Sequence, residues 1–516
     1  MNWDAFQKQF IPLPNLNMAL DVSRVGLTND FLQSFQPKIV KALEDMEGLE
    51  AGAIANPDEH RQVGHYWLRN FSLAPTTAIY DELKQNWEQL HTFIHSVLQD
   101  MPFTHLLCIG IGGSALGPQL IIDALESKNK GLSAVFIDNT DPDGIQRTLN
   151  RLQEHLGKTL VLVTSKSGST AEPRNALMEV QARFRSLNLD FARQAIAITC
   201  PGSQLDQTAQ KEQWLARFPL WDWVGGRTSW CSNVGLLPAG LCGIDIDELV
   251  EGAAEMDRLT RSDLATRNPA LSLALAWYVC SGGHGQRNMV VLPYKDALVL
   301  LPRYLQQLIM ESLGKRLTVD GQEVNQGLTV YGNKGSTDQH AYIQQLRDGL
   351  RDAFVTFIEV QRPYHPSKVF VEKTFTSNDF LEGFLLGTRD ALTEVHCPSI
   401  TITLQQLDAK SLGALIALFE RTVGFYANFI NINAYHQPGV EAGKKAARVY
   451  LEQQQTILTY LQKHPTVSFT AEQLAHKLQL DDRTEDVFKL LEYLAANQRI
   501  RCERHPLIAQ NQYSTL

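Results

Sequence analysis

Between residues 104 and 199, short continuous apolar runs alternate with amphipathic stretches. The runs predict strands over 104–110, 134–139, 160–164 and 195–199, and the stretches between them predict helices over 115–126, 143–156 and 171–187. Strands that are apolar at every position, not at alternate positions, belong to parallel sheets covered on both faces. The alternation restarts after about residue 265. Strands are predicted over 289–292, 328–331, 354–359 and 400–404, with helices over 302–317, 340–348, 412–430 and 440–461. The chain therefore reads as two α/β units in succession, with no short fixed repeat. Residues 1–70 carry only weak helical periodicity, clearest over 32–46. Beyond about 465, short amphipathic helices over 470–478 and 485–497 precede a β wing beginning over 498–502, the outline of a small winged helix. The expected organisation is a helical segment over 1–70, α/β sandwich units over 71–255 and 256–450, and a winged-helix-like extension over 451–516.

Composition narrows the function classes. The 516 residues are 44% hydrophobic and 20% charged, as in an ordinary globular enzyme, and the net charge is −9. That balance argues against general nucleic-acid binding. From Pro465 onward seven acidic residues stand against six basic ones, so the tail reads as a packing or docking module and not a DNA reader. No run reaches the roughly 18 apolar residues of a membrane span; the longest, 271–280, reads as a buried helix. The opening MNWDAFQKQF lacks a signal-peptide layout. Seven cysteines are scattered singly, which predicts reduced thiols in a cytoplasm, with Cys108 and Cys280 as packing residues. His60 and His65 lie five apart, and no HExxH, CxxC, GxSxG or P-loop occurs, so no metal or cofactor is expected.

Several polar clusters could carry chemistry. Ser165-Lys166-Ser167-Gly168-Ser169-Thr170 lies where a strand turns into a helix, a place that suits a phosphate dianion. The bland alternative is a well-capped polar turn. Gly110-Ile111-Gly112-Gly113-Ser114 ends the first strand of the alternation and could approach a dinucleotide, a sugar or a phosphate. Arg227, after Gly225-Gly226, could fork onto an oxyanion or form a surface salt bridge. Glu311 sits beside Ile309 and Met310, where burial would raise its pKa and favour a base; the alternative is a helix pair with Lys315. His340 follows a hydroxyl-rich loop, and Lys444 lies about a turn into the helix after Gln437-Pro438-Gly439. A cofactor-dependent oxidoreductase using the glycine loop, or a sugar-phosphate-sensing regulator, would leave Glu311 without a role.

Taken in order, IGIGGSALGP (109–118), SKSGST (165–170), GGRTSWCSNVG (225–235), QLIMESLGK (307–315), QHA (339–341) and QPGVEAGK (437–444) resemble the glucose-6-phosphate isomerase (phosphoglucose isomerase) family. The resemblance implies two sugar-isomerase α/β domains and aldose–ketose isomerisation of glucose 6-phosphate and fructose 6-phosphate, with no cofactor. It implies that Ser165, Ser167, Thr170 and the Lys166 backbone cradle the phosphate, and that Gly113 and Ser114 contact sugar and phosphate. Glu311 is then the base between C2 and C1, and Arg227 the cation beside a cis-enediolate. His340 and Lys444 form the ring-opening pair, and Gln307 and Gln437 contact substrate. A homodimer is implied, with His340 entering from the partner subunit. Animal-type members carry a bulkier, threonine-rich version of the phosphate loop, and Gly168 is expected to make this one looser.

Overall fold

The computed structural model describes residues 3–125 and 131–516; the side chains of Val440, Glu441, Ala442, Lys444 and Lys445 lie outside the described set. Contacts divide the chain into two compact units, Met1–His436 and Gln437–Leu516.

The first departure from the sequence pattern comes early. Residues Phe10–Leu13 (β1) and Met18–Arg24 (β2) form an antiparallel hairpin inside the segment expected to be helical. The helix Asn29–Glu50 then contains the expected 32–46. Next comes a parallel sheet of His105–Ile109 (β3), Ser133–Ile137 (β4), Thr159–Thr164 (β5), Ala195–Thr199 (β6) and Ala216–Pro219 (β7), in the order β4-β3-β5-β6-β7. Its central strands β3, β5 and β6 are apolar at successive positions because both faces are buried. Leu106, Cys108, Leu160, Leu162, Ile196 and Ile198 join one core, and Leu107, Ile109, Val161, Val163, Ala195 and Ala197 join another.

The second sheet contains Asn288–Pro293 (β8). After a small ribbon of Lys315–Leu317 (β9) and Glu323–Gln326 (β10), it adds Val330–Tyr331 (β11), Ala353–Arg362 (β12) and Ser399–Gln406 (β13). The order is β1-β2-β13-β12-β8-β11, with β2 antiparallel to β13 and β8, β11, β12 and β13 mutually parallel. The N-terminal hairpin thus covers the outer edge of β13 and leaves no long strand of the sheet's parallel part unpaired there.

The apolar run at 271–280 is the buried helix Pro269–Ser281, and the helix Ala409–Phe429 is buried along almost its whole length. All seven cysteines are free, and Cys108 and Cys280 are buried. Two predicted helices are corrected. The one expected over 302–317 is a short helix, Leu301–Leu305, widening into a π-helical stretch, Gln306–Glu311, and the chain turns into β9 after Gly314. The one expected over 340–348 begins only at Ile343; His340 ends a separate 3-10 turn, Asp338–His340. The first helix of the alternation is Gly113–Ala124, and its expected end at Glu126 lies outside the described residues.

The unit Gln437–Leu516 holds the helices Pro438–Lys463, Ala471–Lys477 and Thr484–Ala496. An antiparallel ribbon follows, Arg501–Glu503 (β14) with Gln512–Ser514 (β15), over a core of Ile457, Leu461, Leu474, Leu491 and Tyr513. The long helix expected to close the second α/β unit groups with this tail, because its apolar face packs there. Among the described residues no helix is long and apolar enough to cross a membrane.

Candidate functional site

The first sheet runs from β3 to β4 on one side and then to β5 on the other, so its switch point lies between the C-terminal ends of β3 and β5. Ligands of open α/β sheets bind at such points. Two loops leave the sheet here. One leads from β3 through Gly112 into the helix Gly113–Ala124, the other from β5 through residues 165–170 into the helix Ala171–Ser186. A helix start carries unsatisfied N–H groups that normally take a side-chain cap. Among the described residues of Met1–His436, every helix of eight or more residues has such a cap except these two. Two open helix ends at one switch point present backbone N–H donors, an arrangement that suits an anion.

The 165–170 loop is held by its own hydroxyls. Ser165 is buried, and its Oγ accepts from Gly168 N at 3.0 Å; Ser167 Oγ accepts from Ser169 N at 3.2 Å and lies 2.8 Å from Ser169 Oγ. Thr170 occupies the cap position, yet its side chain caps nothing. The Lys166 ammonium is spent on Asp222 (Oδ1 at 3.0 Å, the backbone carbonyl at 2.6 Å), and burial lowers its pKa. Gly168 does not loosen the loop. Its φ is +74°, and a Cβ there would fall 2.3 Å from Leu205 N, so the turn is tight and closed to larger residues.

Lys166 ties this loop to residues 222–224, which lead into Gly225-Gly226-Arg227. That segment docks against the other open helix. A Cβ on Gly113 would fall 1.9 Å from Gly226 O, and Ser229 Oγ donates to the carbonyls of Gly226 (2.8 Å) and Gly113 (3.3 Å). Ser114 lies in the same first turn, its N–H donating to Ile111 O at 3.2 Å.

Arg227 is 7% exposed. Its Nη atoms donate to Ala434 O (3.2 Å) and His436 O (3.0 Å), and its Nε lies 3.4 Å from Glu311 Oε2. Burial lowers the guanidinium pKa, and the Glu311 charge opposes that fall. Gln307 Nε2 donates to the same Glu311 oxygen at 3.2 Å. Glu311 and Gln307 both sit in the π-helical stretch, an irregularity that often marks functional sites. The Glu311 side chain is 22% exposed, so the carboxylate faces accessible space while held from two sides. Gln307 Oε1 is buried and has no hydrogen-bond partner among the described residues. Gln307 also lies against Gly112, where a Cβ would come 3.1 Å from Nε2. Glu311, Arg227, Gln307 and the glycine loop are therefore one constellation, and the hydroxyl loop ends the adjacent strand.

The i,i+4 pair of Glu311 with Lys315 does not form. Lys315 Nζ donates to the backbone carbonyls of Glu311 and Ser312 instead, both at 2.7 Å. His340 is exposed, and its side chain makes no hydrogen bond or ion pair among the described residues. Gln437 and Lys444 belong to the C-terminal unit, and the Lys444 side chain lies outside the described residues.

Behind Arg227 lies a support that the sequence reading missed. Tyr304 Oη donates to Arg227 O (3.2 Å), and Glu420 Oε1 accepts from Trp230 Nε1 (3.1 Å) and Tyr304 Oη (3.5 Å). Glu420 pairs with Arg69, which also holds Asp257 through one Nη at 2.9 and 3.2 Å; Glu50 pairs with Arg421 and Arg261. The buried Arg69 and Arg421 are thus met by three buried carboxylates, with Arg261 reaching Glu50 from the surface. The readable signal was Glu420-Arg421 in the middle of an otherwise apolar helix. Among the described residues no group of three or more His, Cys, Asp or Glu is placed to hold a metal ion.

The family description Phosphoglucose isomerase matches residues 21–465. A glucose-6-phosphate isomerase from Nostoc sp. is 53% identical over 504 residues, 96% of this chain and 95% of that protein; one from Synechococcus sp. is 54% identical over 495 residues, 94% and 93%. The crystal structure of a glucose-6-phosphate isomerase from Chlamydia trachomatis superposes with a TM-score of 0.80 at 26% identity, covering 87% of this chain and 91% of that one. A hypothetical protein from Thermus thermophilus superposes with a TM-score of 0.73 at 27% identity, covering 84% and 99%. The chain belongs to the phosphoglucose isomerase family, a family of aldose–ketose isomerases.

Proposed function

We propose that this chain interconverts glucose 6-phosphate and fructose 6-phosphate through a cis-enediolate, with Glu311 as the base. The observation that carries the reading is the Glu311 carboxylate held between Arg227 and Gln307 beside two uncapped helix ends. The phosphate sits on the 165–170 loop, and this remote anchor aligns the reacting carbons. Glu311 takes the C2 proton of the open-chain aldose, and the C–H electron pair becomes the C1–C2 double bond as negative charge passes to O1. Arg227, a fixed buried cation, meets that charge. A proton moves between O1 and O2, and Glu311 returns its proton to C1 to give the ketose. One base serves both transfers because the carbons are adjacent.

His340 and Lys444 open the ring, Gln437 contacts substrate, and His340 reaches the site of a second copy of the chain. Two features support the second copy. His340 has no side-chain partner among the described residues, and its neighbour Gln339 donates to Phe384 O at 3.2 Å. Near Phe384 the segment Val369-Phe370-Val371 is 54–64% exposed and Phe375 49%, an apolar surface of the kind that docks.

The test is fructose 6-phosphate in deuterated water with no cofactor or metal. The expected product is glucose 6-phosphate labelled at C2, the label reduced where the proton is carried internally. Glu311→Gln is expected to lower turnover by about 10²–10⁴-fold or more while phosphosugar binding persists. Retained turnover in that variant overturns the assignment.

A further inference from the structure

The mechanism above leaves one buried titratable group beside the base without a task. Lys315 is 5% exposed and follows the π-helical stretch that carries Gln307 and Glu311. The last carbonyls of a helix lack intrahelical donors. Here two of them, Glu311 O and Ser312 O, each accept from Lys315 Nζ at 2.7 Å. The residue that carries the carboxylate is therefore tied down by its own main chain. The same amine lies within electrostatic reach of the Glu311 carboxylate and of Arg227.

We propose that Lys315 is a positioning residue for the base: it clamps the helix turn that presents Glu311 and holds a positive charge beside the carboxylate. The inference rests on Glu311 being the base. The clamp explains how a stretch wider than an α-helix keeps one carboxylate oxygen within reach of both Arg227 and Gln307. A neutral amine still has two N–H donors, so the clamp survives deprotonation, whereas the charge does not.

The charge is conditional because of what faces it. Burial lowers the Lys315 pKa to about 7, Arg227 from the 225–231 turn pushes in the same direction, and Glu311 on its own helix and Asp58 oppose them. His436, at the end of the main unit, is also within its field. Titration of Lys315 thus falls in the working range of an isomerase, and the charge beside Glu311 fades as pH rises through it.

Two measurements test this. In the first, the full chain carries lysine labelled with 13C at Cε, and the Lys315 resonance, assigned from its absence in Lys315→Met, is titrated. A midpoint near neutrality is expected, lower again in Glu311→Gln, where the opposing charge is gone; a midpoint that Glu311→Gln leaves unmoved means the amine holds no charge beside the carboxylate and overturns the proposal whether or not the protein turns over sugar. In the second, kcat/KM is followed against pH. The wild type is expected to fall on the alkaline side through the same midpoint. Lys315→Arg, permanently charged, is expected to lose that limb and keep most of its activity. Lys315→Met is expected to lose the limb and about tenfold or more in kcat with little change in KM. Folded variants that keep the wild-type limb, or a Met variant that loses only thermal stability, overturn the inference; an inactive wild type overturns the isomerase reading instead.

Discussion

At the scale of single residues, the site is defined by what cannot be changed. A methyl group on Gly113 would overlap Gly226 O, which is backbone and cannot step aside. Gly113→Ala is expected to part the two loops, costing about 1–3 kcal/mol in denaturant unfolding and raising KM for phosphosugar. Glu420→Leu removes the carboxylate shared by Arg69, Trp230 and Tyr304 and leaves buried charge uncompensated, with an expected loss of about 3–5 kcal/mol. Because Tyr304 also holds the Arg227 carbonyl, that variant should lose kcat beyond its loss of stability, which assays well below its melting temperature would reveal. Lys315 makes stability itself pH-dependent. Its folded pKa lies below that of the unfolded chain, so the unfolded state binds more protons between about 7 and the ordinary lysine range. Stability is therefore expected to rise with pH across that window, and Lys315→Met should abolish this gain in urea midpoints measured at pH 7 and 9.

At the scale of elements, the residues that made the fold legible are those buried on both sides. Leu160, Val161, Leu162 and Val163 alternate between two cores, so the strand reads as one apolar run. The β1–β2 hairpin escaped because it is short, pairs antiparallel and carries Asp21 and Asn17 among its apolar residues. Apolar periodicity over 302–317 gave a helix but could not reveal the π-helical widening, which is a matter of backbone hydrogen bonding and not of side-chain pattern. For the site, the motifs carried Glu311, Arg227, Gln307 and the hydroxyl loop. The Tyr304–Glu420–Trp230 support was hidden because its members lie far apart in the chain and only packing unites them. The missing caps at Gly112 and Thr170 were equally invisible: threonine is a good cap by composition, and here its hydroxyl does not serve. Thr170→Asp should supply a cap and a negative charge to that open end, and is expected to weaken phosphosugar binding by about tenfold or more in calorimetry while raising thermal stability.

At the scale of the whole molecule, the exposed His340 yields a test by mixing. If each site takes Glu311 from one copy and His340 from another, His340→Ala and Glu311→Gln proteins, each inactive on ring-closed sugar, should recover up to about a quarter of wild-type activity after joint refolding, since half the dimers are mixed and each has one intact site. Absence of recovery, with mixed dimers confirmed by native mass spectrometry, would place His340 in its own chain's site. The order of the strands has a further consequence, for synthesis. β2 pairs with β13, so a hairpin made of the first two strands to leave the ribosome waits for the last strand of the main unit. The first sheet, built from consecutive strands, can settle as it emerges, while the N-terminal hairpin stays unpartnered through most of translation. A nascent chain halted before residue 399 should therefore keep that hairpin open to proteases while β3–β7 resist them, and synthesis of the single strand β13 should suffice to protect it.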